Sequence, residues 1–152
     1  MFEAKLAELG VTLPEVAKPL AAYVPAVKIG EYVYTAGQIP LVAGELKYKG
    51  KVGKDITEEE GNAAAKVCAI NCLSAVKSVI GDLDKIERIV KLTGFVNSAP
   101  GYTMQPKVVN GASEFLGEVF GEAGLHARSA VGVSELPIDA AVEIEIIVKV
   151  KA

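Results

Sequence analysis

The chain has 152 residues, of which 51% are hydrophobic and 23% charged, and its formal net charge is -3. This size and balance suit one globular domain with a sizeable core and exclude a disordered or collagen-like chain. The acidic balance, with no basic stripe, also argues against a protein built to grip nucleic-acid phosphates.

The first residues, MFEAKLAELGVTLPEVAKP, carry Glu3, Lys5 and Glu8 and hold no apolar run fit for a signal peptide. The longest apolar stretch, VCAINCLSAV, is too short to span a bilayer. A cytoplasmic protein without a membrane partner is expected. Cys68 and Cys72 stand four apart on a predicted helix, so they share a face but are poorly directed for a disulfide. Without histidines nearby they are also a poor zinc signal, and they are expected to be small buried thiols.

In chain order, residues 3–9 suit a short helix that groups Phe2, Leu6 and Leu9, and residues 1–20 form an N-terminal extension to a single domain spanning 1–152. Pro14, Pro19 and Pro25 keep the following approach irregular. The segment AVKIGEYVYTAGQIPL predicts two strands joined by a tight turn at Gly30 and Glu31, and Gly37 marks a bulge or a close backbone approach. A third short strand is expected near residues 45–48. Thr57 and Glu60 fit a capping box that opens a long helix, with Ala64, Val67, Ile70, Leu73, Val76 and Ile80 at helical spacing and Gly81 as its stop. KIERIVKLTGFVNSA predicts a strand and PGYTMQP a loop. Pro106 opens a second helix with Val109, Ala112, Leu116, Val119 and Phe120 on its apolar face. Two strands close the chain, read as a hairpin turning at ELPID. The order β-β-β-α-β-α-β-β predicts an α+β fold, a mixed sheet with two helices packed on one face.

In the last strand, period two sends Val142, Ile144, Ile146, Val148 and Val150 to the helices and Glu143, Glu145, Ile147, Lys149 and Lys151 to the other face. In the strand before it, Val131 and Val133 suit the helix side, which leaves Arg128, Ala130, Gly132 and Ser134 opposite. That second face mixes charges with small and apolar residues, so it is expected to be covered by other subunits, with a pocket near Arg128; the alternative is a solvated face with chance charges.

YTAGQIPL, HARSAVGVSELP and AAVEIEIIVKV together resemble the Rid family of enamine/imine deaminases, also known as endoribonuclease L-PSP-like proteins. The resemblance runs from about Tyr23 to Val150 and points to a divergent subgroup. It implies a chorismate-mutase-like fold, a homotrimer, and sites in the clefts between subunits where small 2-imino acids become 2-oxo acids and ammonia. It implies that Arg128 grips the substrate carboxylate and that Glu143 positions or activates water. Tyr23, Gly37 and Asn110 would line the pocket. No metal or organic cofactor is implied, because the imine is already electrophilic.

Two positions depart from the family pattern. Ala36 stands where a serine often precedes the glycine, and Ala130 where a cysteine often follows the arginine. These motivate a second expectation, a trimer that binds small carboxylates without turning them over. A ribonuclease reading is weaker on the acidic balance. Each residue also has a structural alternative: Arg128 in an ion pair with a carboxylate across the trimer, Glu143 paired with Lys149 or with another subunit, Tyr23 as packing beside Pro25, Asn110 as an ordinary helix residue. His126, the single histidine, stands two residues before Arg128 and receives no catalytic role. The basic stretch KYKGKVGK is read as a solvated loop. Whether residues 97–106 plug the cleft is left open.

Overall fold

A computed structural model of the chain describes residues 1–16 and 22–152. Pro19 lies outside the described residues. The elements follow the expected order with one short strand added. Helix α1 (Phe2–Glu8) leads into strands β1 (Ala26–Ile29), β2 (Tyr32–Thr35), β3 (Leu41–Val42) and β4 (Glu45–Leu46). Helix α2 (Glu58–Ile80), strand β5 (Ile86–Asn97), helix α3 (Gln105–Phe120) and strands β6 (Ala127–Val133) and β7 (Val142–Val150) complete it.

Local chemistry accounts for most boundaries. Gly30 adopts φ 57° and closes β1 onto β2 with Ile29 opposite Tyr32, the geometry of a two-residue hairpin. Thr57 Oγ1 accepts from the Glu60 amide at 3.1 Å, while Glu60 Oε1 accepts from the Thr57 amide at 3.0 Å, so the capping box forms as expected. Gly81 and Gly121 end α2 and α3 at positive φ. Helix α1 lacks a cap of its own. Its first free amides, those of Phe2 and Glu3, donate to Asp84 Oδ1 at 2.7 and 3.0 Å, which docks the helix beside the end of α2. Leu6 is buried there, and Phe2 meets the Phe120 ring at 4.6 Å, but Leu9 stays exposed, outside the expected cluster.

Both long helices pack on one face of a five-stranded sheet ordered β1-β2-β7-β5-β6. The core between the layers holds Val33, Leu73, Val76, Ile89, Leu92, Leu116, Ile144, Ile146 and Val148. Of the expected stripe of α2, Ala64, Leu73, Val76 and Ile80 are buried, but the enclosed face is wider on one side. Val67 and Ile70 are only half-buried, while Ala65, Cys68, Ala69, Cys72 and Ala75 are enclosed, because small side chains let the helix lie close to the sheet. Helices α2 and α3 also cross closely, and a methyl group on Gly111 would collide with the Asn62 carbonyl. By length and hydropathy α2 could cross a membrane, yet most of it is buried inside this fold.

Two expectations about the sheet are corrected. The third strand, β4, does not join the sheet; it pairs with β3 in a separate two-stranded ribbon. And β6 and β7 are not a hairpin. Helix α3 carries the chain over as a crossover, so β6 lies parallel to β5 at the sheet edge. Strand β7 then returns on the other side of β5, antiparallel to both β5 and β2. The connection between them must therefore cross the end of β5. Asn97, fully buried there, holds it: Nδ2 donates to Asp139 Oδ1 at 3.0 Å and Ala140 O at 3.1 Å, and the Asn97 amide donates to Ala141 O at 2.9 Å.

The faces of β6 are reversed from the expectation. Arg128, Ala130 and Gly132 lie on the helix side, where Ala130 packs against the core and a methyl on Gly132 would meet Gln105 Nε2 at 2.7 Å. Val131 is on the open face and 42% exposed. Only Ala and Gly fit under the first turns of α3, and the guanidinium finds hydrogen-bond acceptors there, so polarity alone misplaces this strand. The assignment for β7 holds, with Val142, Ile144, Ile146, Val148 and Val150 buried.

Candidate functional site

Arg128 reaches from the edge strand across to α3. Its Nη1 donates to Ser113 Oγ at 3.1 Å and its Nη2 to the Pro106 carbonyl at 3.3 Å. Neither partner is a carboxylate, so among the described residues of one chain the guanidinium has no ion-pair partner. The guanidinium borders an open groove of about 430 Å³ that Asn110, Ser113, Glu114 and His126 also line. Asn110 and Ser113 share a helical face at i, i+3. The remaining N–H groups of Arg128 have no acceptor among the described residues, and a planar guanidinium fork is of a shape that suits a carboxylate. The 97–106 connection reaches the guanidinium at its end, through the Pro106 carbonyl, while in its middle the Tyr102 ring packs against Gly53.

Glu143 stands on the opposite face of the sheet. It is half-buried, opposite Phe95 of β5. Burial raises its carboxyl above the usual range, and the neighbouring Glu145 charge adds to the effect. Gly37 lies directly against it: a side chain there would put Cβ 2.8 Å from Glu143 Cδ. The approach is fixed by a bridge in which the Gln38 amide donates to Ile144 O at 2.7 Å and the Ile144 amide to Gln38 O at 3.0 Å. Beneath the strand, the Cys68 and Cys72 thiols donate to Val142 O at 3.5 Å and Ile144 O at 3.3 Å, on either side of Glu143. Burial pushes Cys72 up to about 12 and Cys68 well above the ordinary thiol range, so both are inert packing thiols, as expected.

Tyr23 is 57% exposed ahead of β1, two residues before Pro25, whose carbonyl accepts from the Ala36 amide at 2.8 Å. That contact puts it at the same end of the sheet as Gly37. The five expected residues thus fall into two groups. Asn110 and Arg128 share the helix-side groove; Gly37 and Glu143 share the open face, with Tyr23 at its margin. The sheet separates the two groups within one chain. Sequence reasoning gave His126 no catalytic role and passed over Ser113, although Ser113 stands three residues after Asn110 on the same predicted helix.

The chain matches the family described as "YjgF/chorismate_mutase-like, putative endoribonuclease" over residues 3–149. It belongs to that family, the Rid family. Protein TCP17 of Trypanosoma cruzi is 45% identical over 149 residues, covering 96% of this chain and 92% of that one. The crystal structure of Atu1372 from Agrobacterium tumefaciens, a protein of unknown function, superposes with a TM-score of 0.92 at 44% identity, covering 99% of this chain and 92% of its own. A 2-iminobutanoate/2-iminopropanoate deaminase of Dermatophagoides farinae is 29% identical over 141 residues, covering 93% of this chain and 95% of its own. Membership agrees with the α+β, chorismate-mutase-like fold just described.

Proposed function

We propose that this Rid protein hydrolyses small 2-imino acids to 2-oxo acids and ammonia, at clefts formed between the subunits of a homotrimer. The observation that carries the reading is the division of the site. An anion-binding fork and a raised carboxyl stand on opposite faces of one sheet, so they can serve one ligand only if they come from two copies. The open face supports such assembly. Val27, Ile29, Tyr32, Tyr34 and Val131 are each more than 40% exposed on it, an apolar surface of the kind that subunits cover. The named deaminase relative supports the reaction class.

In this reading Arg128 of one subunit holds the substrate carboxylate, which fixes the imine carbon at a set distance from Glu143 of the neighbour. Positioning of this kind lowers a barrier by several kcal/mol. Glu143, with its proton affinity raised, takes a proton from water as the oxygen attacks the C=N carbon. It returns that proton to nitrogen to give the carbinolamine, then takes the hydroxyl proton and passes it to the amino nitrogen as the C=O bond forms and the C–N bond breaks, and ammonia leaves. The test is ammonia release from freshly generated 2-iminobutyrate. Acceleration over the spontaneous rate that disappears in Arg128→Ala supports the proposal; no acceleration across a panel of imino acids removes it.

A second reading, carboxylate binding without turnover, rests on Ala36 and Ala130. Neither offers a hydroxyl or thiol, and Ala130 is packed against the core. Saturable binding of a 2-oxo acid with no ammonia release from any imine decides for it.

A further inference from the structure

Beside Arg128, a serine and the single histidine form a hydrogen-bonded relay that the steps above do not use. The Gly124 carbonyl can only accept, so its contact of 2.6 Å places a proton on His126 Nδ1. In a neutral ring Nε2 is then the acceptor, and it lies 2.9 Å from Ser113 Oγ. Ser113 Oγ already accepts from Arg128 Nη1, so its own proton points at Nε2. In this state the serine offers the groove no donor. Adding a proton to Nε2 reverses the bond. The ring then donates to Ser113, and the serine hydroxyl hydrogen is released to turn toward a ligand on Arg128.

The surroundings couple this change to an anion. His126 lies between two recesses. One holds Arg128 of β6 and Glu114 of α3; the other holds Arg88 of β5, Lys149 of β7 and Tyr32 of β2. Lys149 is engaged by Glu87 at 2.9 Å. A carboxylate bound on Arg128 brings a negative charge next to the imidazole, so proton and anion entering this neighbourhood attract one another. Such coupling is reciprocal: each strengthens the binding of the other.

We propose that Ser113 and His126 are carboxylate-recognition residues of the groove, with one proton taken up at His126 as a small 2-oxo or 2-imino acid binds and the Ser113 hydroxyl turning from the ring to the ligand. The proposal rests on Arg128 as the anchor, as read above. It gives the ligand a third kind of donor beside the guanidinium and the Asn110 amide, at a position where Ala130 supplies none.

The test is calorimetric titration of the intact protein with 2-oxobutyrate from about pH 5.5 to about 8.5, the range in which imidazoles titrate. The ligand stays ionised throughout, and two buffers of different ionisation enthalpy report the protons taken up. Affinity is expected to fall with rising pH by up to about tenfold per unit, with uptake approaching about one proton per site. His126→Gln, checked for fold by circular dichroism, is expected to bind at every pH about as the wild type does at its highest pH, and Ser113→Ala, which keeps the imidazole but loses the hydroxyl donor, to bind more weakly than the wild type at low pH with a shallower pH dependence. Wild-type binding with no pH dependence overturns the relay and leaves the anchor standing, as does a pH dependence that survives His126→Gln. No wild-type binding at any pH overturns the anchor and the relay together.

Discussion

The carboxyl group of Glu143 occupies the space where a side chain on Gly37 would begin. Gly37→Ala therefore forces Glu143 to move while leaving the core intact. If the carboxyl works by position, kcat/KM for imine hydrolysis is expected to fall about 100-fold, with little change in melting temperature. Steady-state kinetics alongside thermal unfolding separates this from general destabilisation.

Glu143 also predicts a pH dependence of stability. Its folded-state proton affinity lies above the ordinary carboxylate range, because of burial and then Glu145. A carboxyl raised in this way costs stability once pH exceeds its unfolded value, and the cost is fully present above its folded value. Glu143→Gln is thus expected to melt above the wild type at neutral pH, with the gap closing as pH falls below the carboxylate range. Melting curves from acid to neutral pH check the sign, which reverses if Glu143 is held by a favourable ion pair.

Asn97 ties the β6–β7 connection to the end of β5 through a fully buried amide that also accepts from Lys51 Nζ at 2.9 Å. Asn97→Ala leaves Lys51 and the carbonyl of Ala140 without that partner. A loss of roughly 2–3 kcal/mol is expected, larger than for an exposed polar deletion. Urea unfolding measures it.

Two glycines of α3 should respond with opposite signs. A methyl at Gly117 meets nothing within 4 Å, whereas at Gly111 it strikes the backbone of α2 at Asn62. Gly117→Ala is expected to stabilise by about 0.5–1 kcal/mol through helix propensity. Gly111→Ala is expected to destabilise by about 1–3 kcal/mol through overpacking. Equal effects in the two variants would contradict the close helix crossing.

Arg128→Lys keeps the positive charge but loses the fork that spans Ser113, Pro106 and the groove. Binding of 2-oxobutyrate is expected to weaken about tenfold or more, near the cost of one charge-assisted hydrogen bond. Titration calorimetry at constant ionic strength reads it directly.

The elements themselves were legible in the chain because their causes are local. The Thr57–Glu60 box, the turn at Gly30, the proline that opens α3 and the period-two pattern of β7 each operate within a few residues. Arg128, Glu143, Gly37, Asn110 and Tyr23 came from motif resemblance, and no local rule says which of them meet. What only the tertiary structure decided is strand order. Long-range pairing inserts β7 between β2 and β5 and leaves β6 at the edge under α3. That order puts Arg128 on the helix side and Glu143 on the other, and brings Ser113 and His126 to the guanidinium. Single-residue patterns cannot reveal this, because a strand of small and polar residues fits either face until the element packed above it is known.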